Sequence, residues 1–171
     1  MVAHPLAVGD LWLAMQQVAD PEIPVISVVD LGVVRDVRVL ADNAVEVDIT
    51  PTYSGCPAMK EMEQGVVEAL QRAGATRVQV RMVFSPAWTT DWIAPDARER
   101  LRQYGIAPPQ SQRRPEDGGA LIPLRRATQN VPCPFCGSLR TEERSHFGST
   151  SCKSLHVCGD CRQPFEHFKA I

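Results

Sequence analysis

The sequence predicts an α+β domain with the element order α-β-β-α-β-α, followed by a small cysteine-rich module. Three observations predict it. Residues 33–40 and 44–50 alternate apolar with charged side chains around the turn-like Ala41-Asp42-Asn43, the pattern of an antiparallel hairpin. Two stretches, 8–19 and 57–73, carry apolar residues at spacings of three and four, as amphipathic helices do. Five of the six cysteines fall in the last 39 residues, so the chain has two unlike parts.

In the first helix Leu11, Ala14, Met15 and Val18 line one face. Asp20-Pro21-Glu22-Ile23-Pro24 stops it with two prolines and makes a rigid, acidic loop. Val25 to Val29 leads into Asp30-Leu31-Gly32, where the glycine suits a bend or bulge before the hairpin. The second helix sets Met59, Met62, Val66, Ala69, Leu70 and Ala73 in a stripe, with Gly74 as its C-cap glycine. Arg77 to Phe84 alternates again, with Val78, Val80, Met82 and Phe84 on one face. A charged helix from Pro95 to Tyr104 stops at Gly105 and completes a domain over residues 1–105. Residues 106–130 hold four prolines and two Arg pairs and lose all periodicity, which predicts a Pro/Arg-rich linker. Residues 131–171 form the module.

Composition narrows function by exclusion. The chain has 171 residues, a net charge of −2 and 44% hydrophobic residues, an ordinary soluble balance. Residues 1–105 carry 9 basic against 14 acidic side chains, a poor surface for neutralising phosphates, which argues against a nucleic-acid partner. The opening residues lack Lys and Arg, their apolar stretch is broken by Asp10, and no run is long enough to span a membrane. A cytoplasmic location is expected, where paired cysteines are metal ligands or redox thiols before they are disulfides.

Cys133-Pro134-Phe135-Cys136 and Cys158-Gly159-Asp160-Cys161 are two C-x-x-C knuckles with 21 residues between them. Each such turn aims two thiolates at one point, and two turns make the tetrahedral set that zinc takes. So small a module cannot bury enough apolar surface to fold alone, and a structural zinc supplies the missing free energy. The strands read at 139–144, 151–157 and 164–168 make it a zinc ribbon. A rubredoxin-like iron site has the same ligands and stays open on spacing alone, as does a less fitting pair of redox dithiols. His146, His156 and His167 read as surface or supporting residues, because four cysteines already fill the site. Cys152 stays unassigned: a packed strand residue, a fifth thiol near the metal, or a reactive thiol.

Cys56 stands alone in the first domain, where Gly55-Cys56-Pro57 turns a loop into the second helix. With Pro57 at the first helical position, Cys56 is placed near the N-cap, where free N–H groups and the helix dipole lower a thiol's pKa. A thiolate there binds soft metals, whereas the plainer reading is a small buried residue at a helix start. One thiolate cannot hold a cluster, so partners would come from Asp20 or Glu22, a second subunit or a client protein. Thr52 and Ser54 offer hydroxyls nearby. No phosphate loop, His–carboxylate pair or di-iron Glu-x-x-His motif supports an independent enzyme, and Trp88 and Trp92 read as packing or interface anchors.

Asp20 to Pro24, Asp30 to Val33 and Thr50-Pro51-Thr52-Tyr53-Ser54-Gly55-Cys56-Pro57 resemble the SufT-like domain of iron–sulfur assembly factors. Pro86 to Trp92, Pro95 to Leu101, Phe147 to Lys153 and Pro164 to Lys169 add a second, more specific likeness, and the two together cover nearly the whole chain except the linker. The whole resembles the PaaD family of ring-1,2-phenylacetyl-CoA epoxidase (phenylacetate-CoA oxygenase) systems. That resemblance implies an accessory role in aerobic phenylacetate catabolism by a bacterium, beside a di-iron oxygenase and an iron–sulfur flavin reductase. It implies a non-catalytic maturation factor with a structural zinc, and Cys56 as transient ligand of iron or an iron–sulfur cluster, supported by Asp20, Glu22, Thr52 and Ser54. Expected partners are the other epoxidase subunits, above all the reductase component, and a second copy of the chain. Two competitors stay open: a structural subunit of the oxygenase complex, and a thiol-redox protein using Cys56 with Cys152.

Overall fold

A computed structural model describes residues 6–53, 55–110 and 130–170. The chain divides into two compact units, Met1–Arg100 and Leu101–Ala170.

In the first unit α1 (Val8–Met15) buries Leu11 and Met15 completely. It ends four residues before the sequence pattern does, because the chain past it pairs with the loop that follows. Ala19 bridges Ser27, Val28 donates to Val18 O at 2.9 Å, and Asp20 donates to Ile26 O at 2.9 Å. Those backbone partners replace the helical ones that Val18 and Ala19 would have had. The predicted hairpin follows as β1 (Val34–Val39) and β2 (Ala44–Ile49), in antiparallel register with Val37 opposite Val47 and Val39 opposite Val45. Asp42 and Asn43 take φ of 56° at its tip, where short polar side chains tolerate the left-handed region.

The second helix, α2 (Met59–Arg72), turns Met59, Met62, Val66, Ala69 and Leu70 inward. It is the crossover to β3 (Arg77–Met82), which runs parallel to β2 with Val45 opposite Val78 and Ile49 opposite Met82. The sheet order is β1-β2-β3. Its inner face, with α1 and α2, buries Val37, Val45, Val47 and Ile49. The other face carries a charge ladder: Arg38 reaches Glu46 at 2.7 Å, Asp48 at 2.9 Å and Asp36, and Arg81 reaches Asp48 at 2.8 Å. Opposite charges set across neighbouring strands reinforce the register that the apolar face already selects.

Gly32, at φ +73°, passes so close to Trp92 that a Cβ there would lie 2.8 Å from that side chain's Cβ. Trp88 is buried and donates its indole N–H to Leu31 O at 2.9 Å, and the Arg35 guanidinium lies 3.5 Å from the Trp92 ring centre. Both tryptophans therefore pack against the chain around Gly32, consistent with the packing role read from sequence. The charged helix is α3 (Pro95–Gln103).

The second unit is a sheet of order β4-β7-β6-β5. Here β5 (Thr141–Ser145), β6 (Lys153–Cys158) and β7 (Pro164–Phe168) lie antiparallel to one another in turn, within a residue or two of the predicted strands. The fourth strand differs from the sequence reading. Ile106 and Ala107, the first residues of the expected linker, form β4, parallel to β7 and buried. Two apolar residues are too few to show a period, so the linker reading began where pairing with β7 in fact continues. The rest of that reading, residues 111–129, lies outside the described residues. Ala107, Val131, Cys133, Cys158 and Phe165 form one cluster of the unit's core, and Ile106 and Phe168 are buried as well.

Candidate functional site

The cysteine cluster is built by two backbone turns. In the first, Gly137 N–H donates to Cys133 O at 2.8 Å and Cys133 N–H to Ser138 O at 2.9 Å, while Gly137 takes φ of 75°. In the second, Cys158 N–H donates to Gln163 O at 3.0 Å, and Arg162 takes φ of 62° to close the turn. Together they bring Cys133, Cys136, Cys158 and Cys161 to one point, with all four sulfurs within 4.8 Å of one another. The Cys133–Cys161 and Cys136–Cys158 sulfurs are 3.6 Å apart. A tetrahedron with metal–sulfur bonds of about 2.3 Å has edges of about 3.8 Å, so the set fits zinc.

The four thiols act on one another's ionisation. N–H groups of Cys161 and Asp160 outweigh burial and pull Cys158 down to about 6. Gln163 N–H favours the Cys161 thiolate, yet burial and the Cys136, Cys158 and Cys133 thiols push that group up to about 12. Burial likewise raises Cys133. Four thiolates so close require a divalent cation to ionise together, which is the work of a structural zinc. With four thiolates around it, the metal has no open position.

Among the described residues the ribbon's histidines and Cys152 are not part of the four-sulfur set. His156 is buried, 2.9 Å from Ser154 Oγ and stacked on Phe165, and His167 meets its ring edge-on. Burial depresses His167 to about 4. His146 is exposed beside Glu143 at 3.3 Å. Cys152 is a buried thiol 3.0 Å from Thr150 Oγ1 and outside the four-sulfur set, which favours the packed reading over a fifth metal thiol. Sequence reading passed over the buried Lys153, which is paired with Glu166 at 3.0 Å. Glu166 also accepts Ser149 N–H, and Gly148 packs so tightly that a Cβ would come within 2.6 Å of the carboxylate. This clamp accounts for the Phe147-to-Lys153 motif as loop architecture.

Cys56 lies on the loop from β2 to α2, beyond the carboxyl ends of the two parallel strands. Open sheets with parallel strands commonly place their sites at that end. Cys56 N–H donates to Tyr53 O at 3.2 Å, and its own carbonyl accepts Met59 N–H at 3.4 Å. The thiol is half-buried, hydrogen-bonded to the Ala58 N–H and the Thr52 hydroxyl, and faces the negative charges of Glu22 and Asp20. Of the predicted residues, Thr52, Asp20 and Glu22 thus all act on the ionisation of the Cys56 thiol. Ser54 lies outside the described residues.

The electrostatics of Cys56 run opposite to the sequence expectation. The helix begins at Met59 with Ala58 as its cap, so Cys56 is not the N-cap residue. Burial raises its pKa above the ordinary thiol value, and the two carboxylates add to the rise against the hydrogen bonds of Ala58 and Thr52. At neutral pH the sulfur keeps its proton. A cation entering among the thiol and the carboxylates would displace that proton and cancel the repulsion.

The loop bearing Asp20 is itself braced. Asp20 Oδ1 accepts N–H from Glu22 at 2.7 Å and from Ile23 at 2.8 Å. Further on, Asp30 and Ser27 bond each other's backbone N–H at 2.9 and 3.0 Å, and Asp30 pairs with Arg100 at 2.8 Å. Burial works to raise the Asp30 pKa, but these donors together with Gln16 hold it below the usual carboxylate value. Sequence reading marked Asp30 only as part of a motif; its buried knot with Ser27 depends on the folded loop.

Residues 10–82 match the model of an iron–sulfur cluster assembly protein, and residues 120–169 match that of the PaaD zinc beta ribbon domain. A protein of Escherichia coli strain K12, named for the D component of 1,2-phenylacetyl-CoA epoxidase, is 46% identical over 98% of this chain and 95% of its own. An Fe-S protein maturation auxiliary factor of Porphyromonas gingivalis is 36% identical over 54% of this chain and 88% of its own. A solved conserved hypothetical protein of Thermotoga maritima matches 58% of this chain and 98% of its own at a TM-score of 0.51 and 30% identity.

Proposed function

The chain belongs to the PaaD family of 1,2-phenylacetyl-CoA epoxidase components, and from that premise we propose that it is a maturation subunit. It serves the bacterial epoxidase of aerobic phenylacetate catabolism by helping place iron or an iron–sulfur cluster in a partner subunit. The recipient is the iron–sulfur reductase component, and the work is done in the cytoplasm. The observation that carries this reading is Cys56 beside Thr52, Asp20 and Glu22 at the strand ends of an iron–sulfur assembly domain. A protonated thiol flanked by carboxylates is a loading site of moderate strength. The incoming iron displaces the proton, is held by sulfur and oxygen, and leaves by ligand exchange when the client's thiolates replace them.

No oxidation or reduction of the protein is needed, and the chain acts without being a catalyst of epoxidation. The ribbon holds one zinc through Cys133, Cys136, Cys158 and Cys161 and serves as a docking or structural module. A thiol-redox role is disfavoured because burial and the carboxylates keep Cys56 protonated, and the thiolate is the nucleophile. The test is Cys56→Ser expressed with all epoxidase components. The expected outcome is an unchanged fold, normal zinc and an iron-poor reductase. Normal reductase iron and full epoxidase activity would overturn the proposal. If the variant also stayed in the purified oxygenase at a fixed ratio, the chain would be a structural subunit.

A further inference from the structure

The outer edge of β3 joins no other strand among the described residues. Within 77–82 it has no proline, bulge or inward-pointing charge, and its two charges, Arg77 and Arg81, lie on the outer face where they restrict which registers can pair. Its backbone geometry is defined. Val83 N–H donates to Ile49 O at 2.8 Å, so odd-numbered residues turn their amides toward β2. Val78, Val80 and Met82 then turn theirs outward. The same residues, with Phe84, lie on the apolar face, where Val78 and Val80 are half-buried while Met82 is 39% and Phe84 65% exposed.

We propose that this edge pairs with the same strand of a second copy, antiparallel about a two-fold axis through Val80. An isologous strand pair allows only registers that set even-numbered residues opposite even ones, since opposed side chains share a face. An axis through Gln79 would set Arg77 opposite Arg81, and an axis through Arg81 would oppose the two copies of Arg81. Like charges directly opposite one another are destabilising. An axis through Val78 or Met82 would leave at least half of the strand without a partner residue in its copy. The axis through Val80 avoids all of these. It sets Val80 against itself, Val78 opposite Met82, Thr76 opposite Phe84 and Gln79 opposite Arg81. Arg81 keeps its contact with Asp48 at 2.8 Å, and in this register the residue opposite it is the neutral Gln79. The strand is thus complementary to itself in a single register. Such pairing joins two three-stranded sheets into one of six and covers Met82 and Phe84.

The test is sedimentation equilibrium of the full zinc-loaded chain over a wide concentration range, with Gln79→Arg and Gln79→Glu. Gln79 is exposed, so both variants are expected to keep the wild-type circular dichroism spectrum. Wild type should form a reversible dimer. Gln79→Arg, which meets Arg81 of the second copy twice per dimer, should weaken it by about tenfold, and Gln79→Glu should tighten it by a similar factor. A monomer at every concentration overturns the proposal. So does a dimer that neither variant moves, since it would be made by another surface.

Discussion

The two units of this chain solve the same problem with different resources. The first buries Leu11, Met15, Ile26, Val28, Val47, Ile49, Met62, Val66 and Leu70 in one core. At roughly 1.5–3 kcal/mol for each large apolar side chain buried, that core is a driving force built from apolar surface. The ribbon buries fewer large apolar side chains, with Ile106, Val131, Phe165 and Phe168 beside Ala107 and the cysteines, too little apolar surface for stability without a cross-link. It invests instead in four thiols that repel as thiolates until a cation joins them. The cysteines are divided accordingly. Those in the ribbon are a closed architectural set, while Cys56 stands half-buried at a loop where a ligand can come and go.

Removing zinc is the strongest way to break this comparison. Chelation, or Cys158→Ser, should unfold the ribbon, with a loss on the order of 10 kcal/mol of apparent stability, and leave the first unit cooperative. Circular dichroism with zinc release read by a colorimetric chelator checks it; a ribbon that stays folded without metal would refute the contrast. Acid should separate the units next. The His167 pKa is lowered to about 4, from an ordinary 6.5 in the unfolded chain, because the buried ring resists charging. The unfolded state then binds more protons between those values. Stability from this group is complete above about pH 6.5 and is lost as pH falls toward 4, on the order of 2–3 kcal/mol.

Asp30 behaves as a depressed carboxylate: its contribution is present above about pH 3.9 and is lost only as pH falls through its lower folded value. The ribbon should therefore soften first as pH falls. Amide hydrogen exchange at pH 7, 5 and 3.5 would show it, with His167→Gln shrinking the early loss. The smallest effect is local to the first unit. Gly32→Ala places a Cβ 2.8 Å from that of Trp92 at φ +73° and should cost about 2 kcal/mol, lowering only the first unit's melting transition.

Much of this was legible in sequence because the patterns are local. The hairpin shows in the alternation of Val37, Val39, Val45 and Val47, and α2 in its apolar stripe. The four zinc ligands show in two short repeats whose geometry a turn alone dictates. What was not legible depended on distant partners. The first helix is cut short by pairing with residues 26–28, and β4 exists because β7 offers it an edge. The Lys153–Glu166 clamp joins residues whose meeting depends on the sheet register. Resemblance to assembly factors pointed to Cys56, but its protonation followed the folded surroundings.

By itself the sequence determined the element order, the two-part organisation and the tetrathiolate set, since periodicity and knuckle spacing act over a few residues. Only the tertiary structure decided the electrostatic state of Cys56. That state depends on burial and on carboxylates more than 30 residues away in the chain, and Coulomb energy follows distance in space. A helix N-terminus suggested a thiolate; the folded loop makes a protonated thiol waiting for a cation.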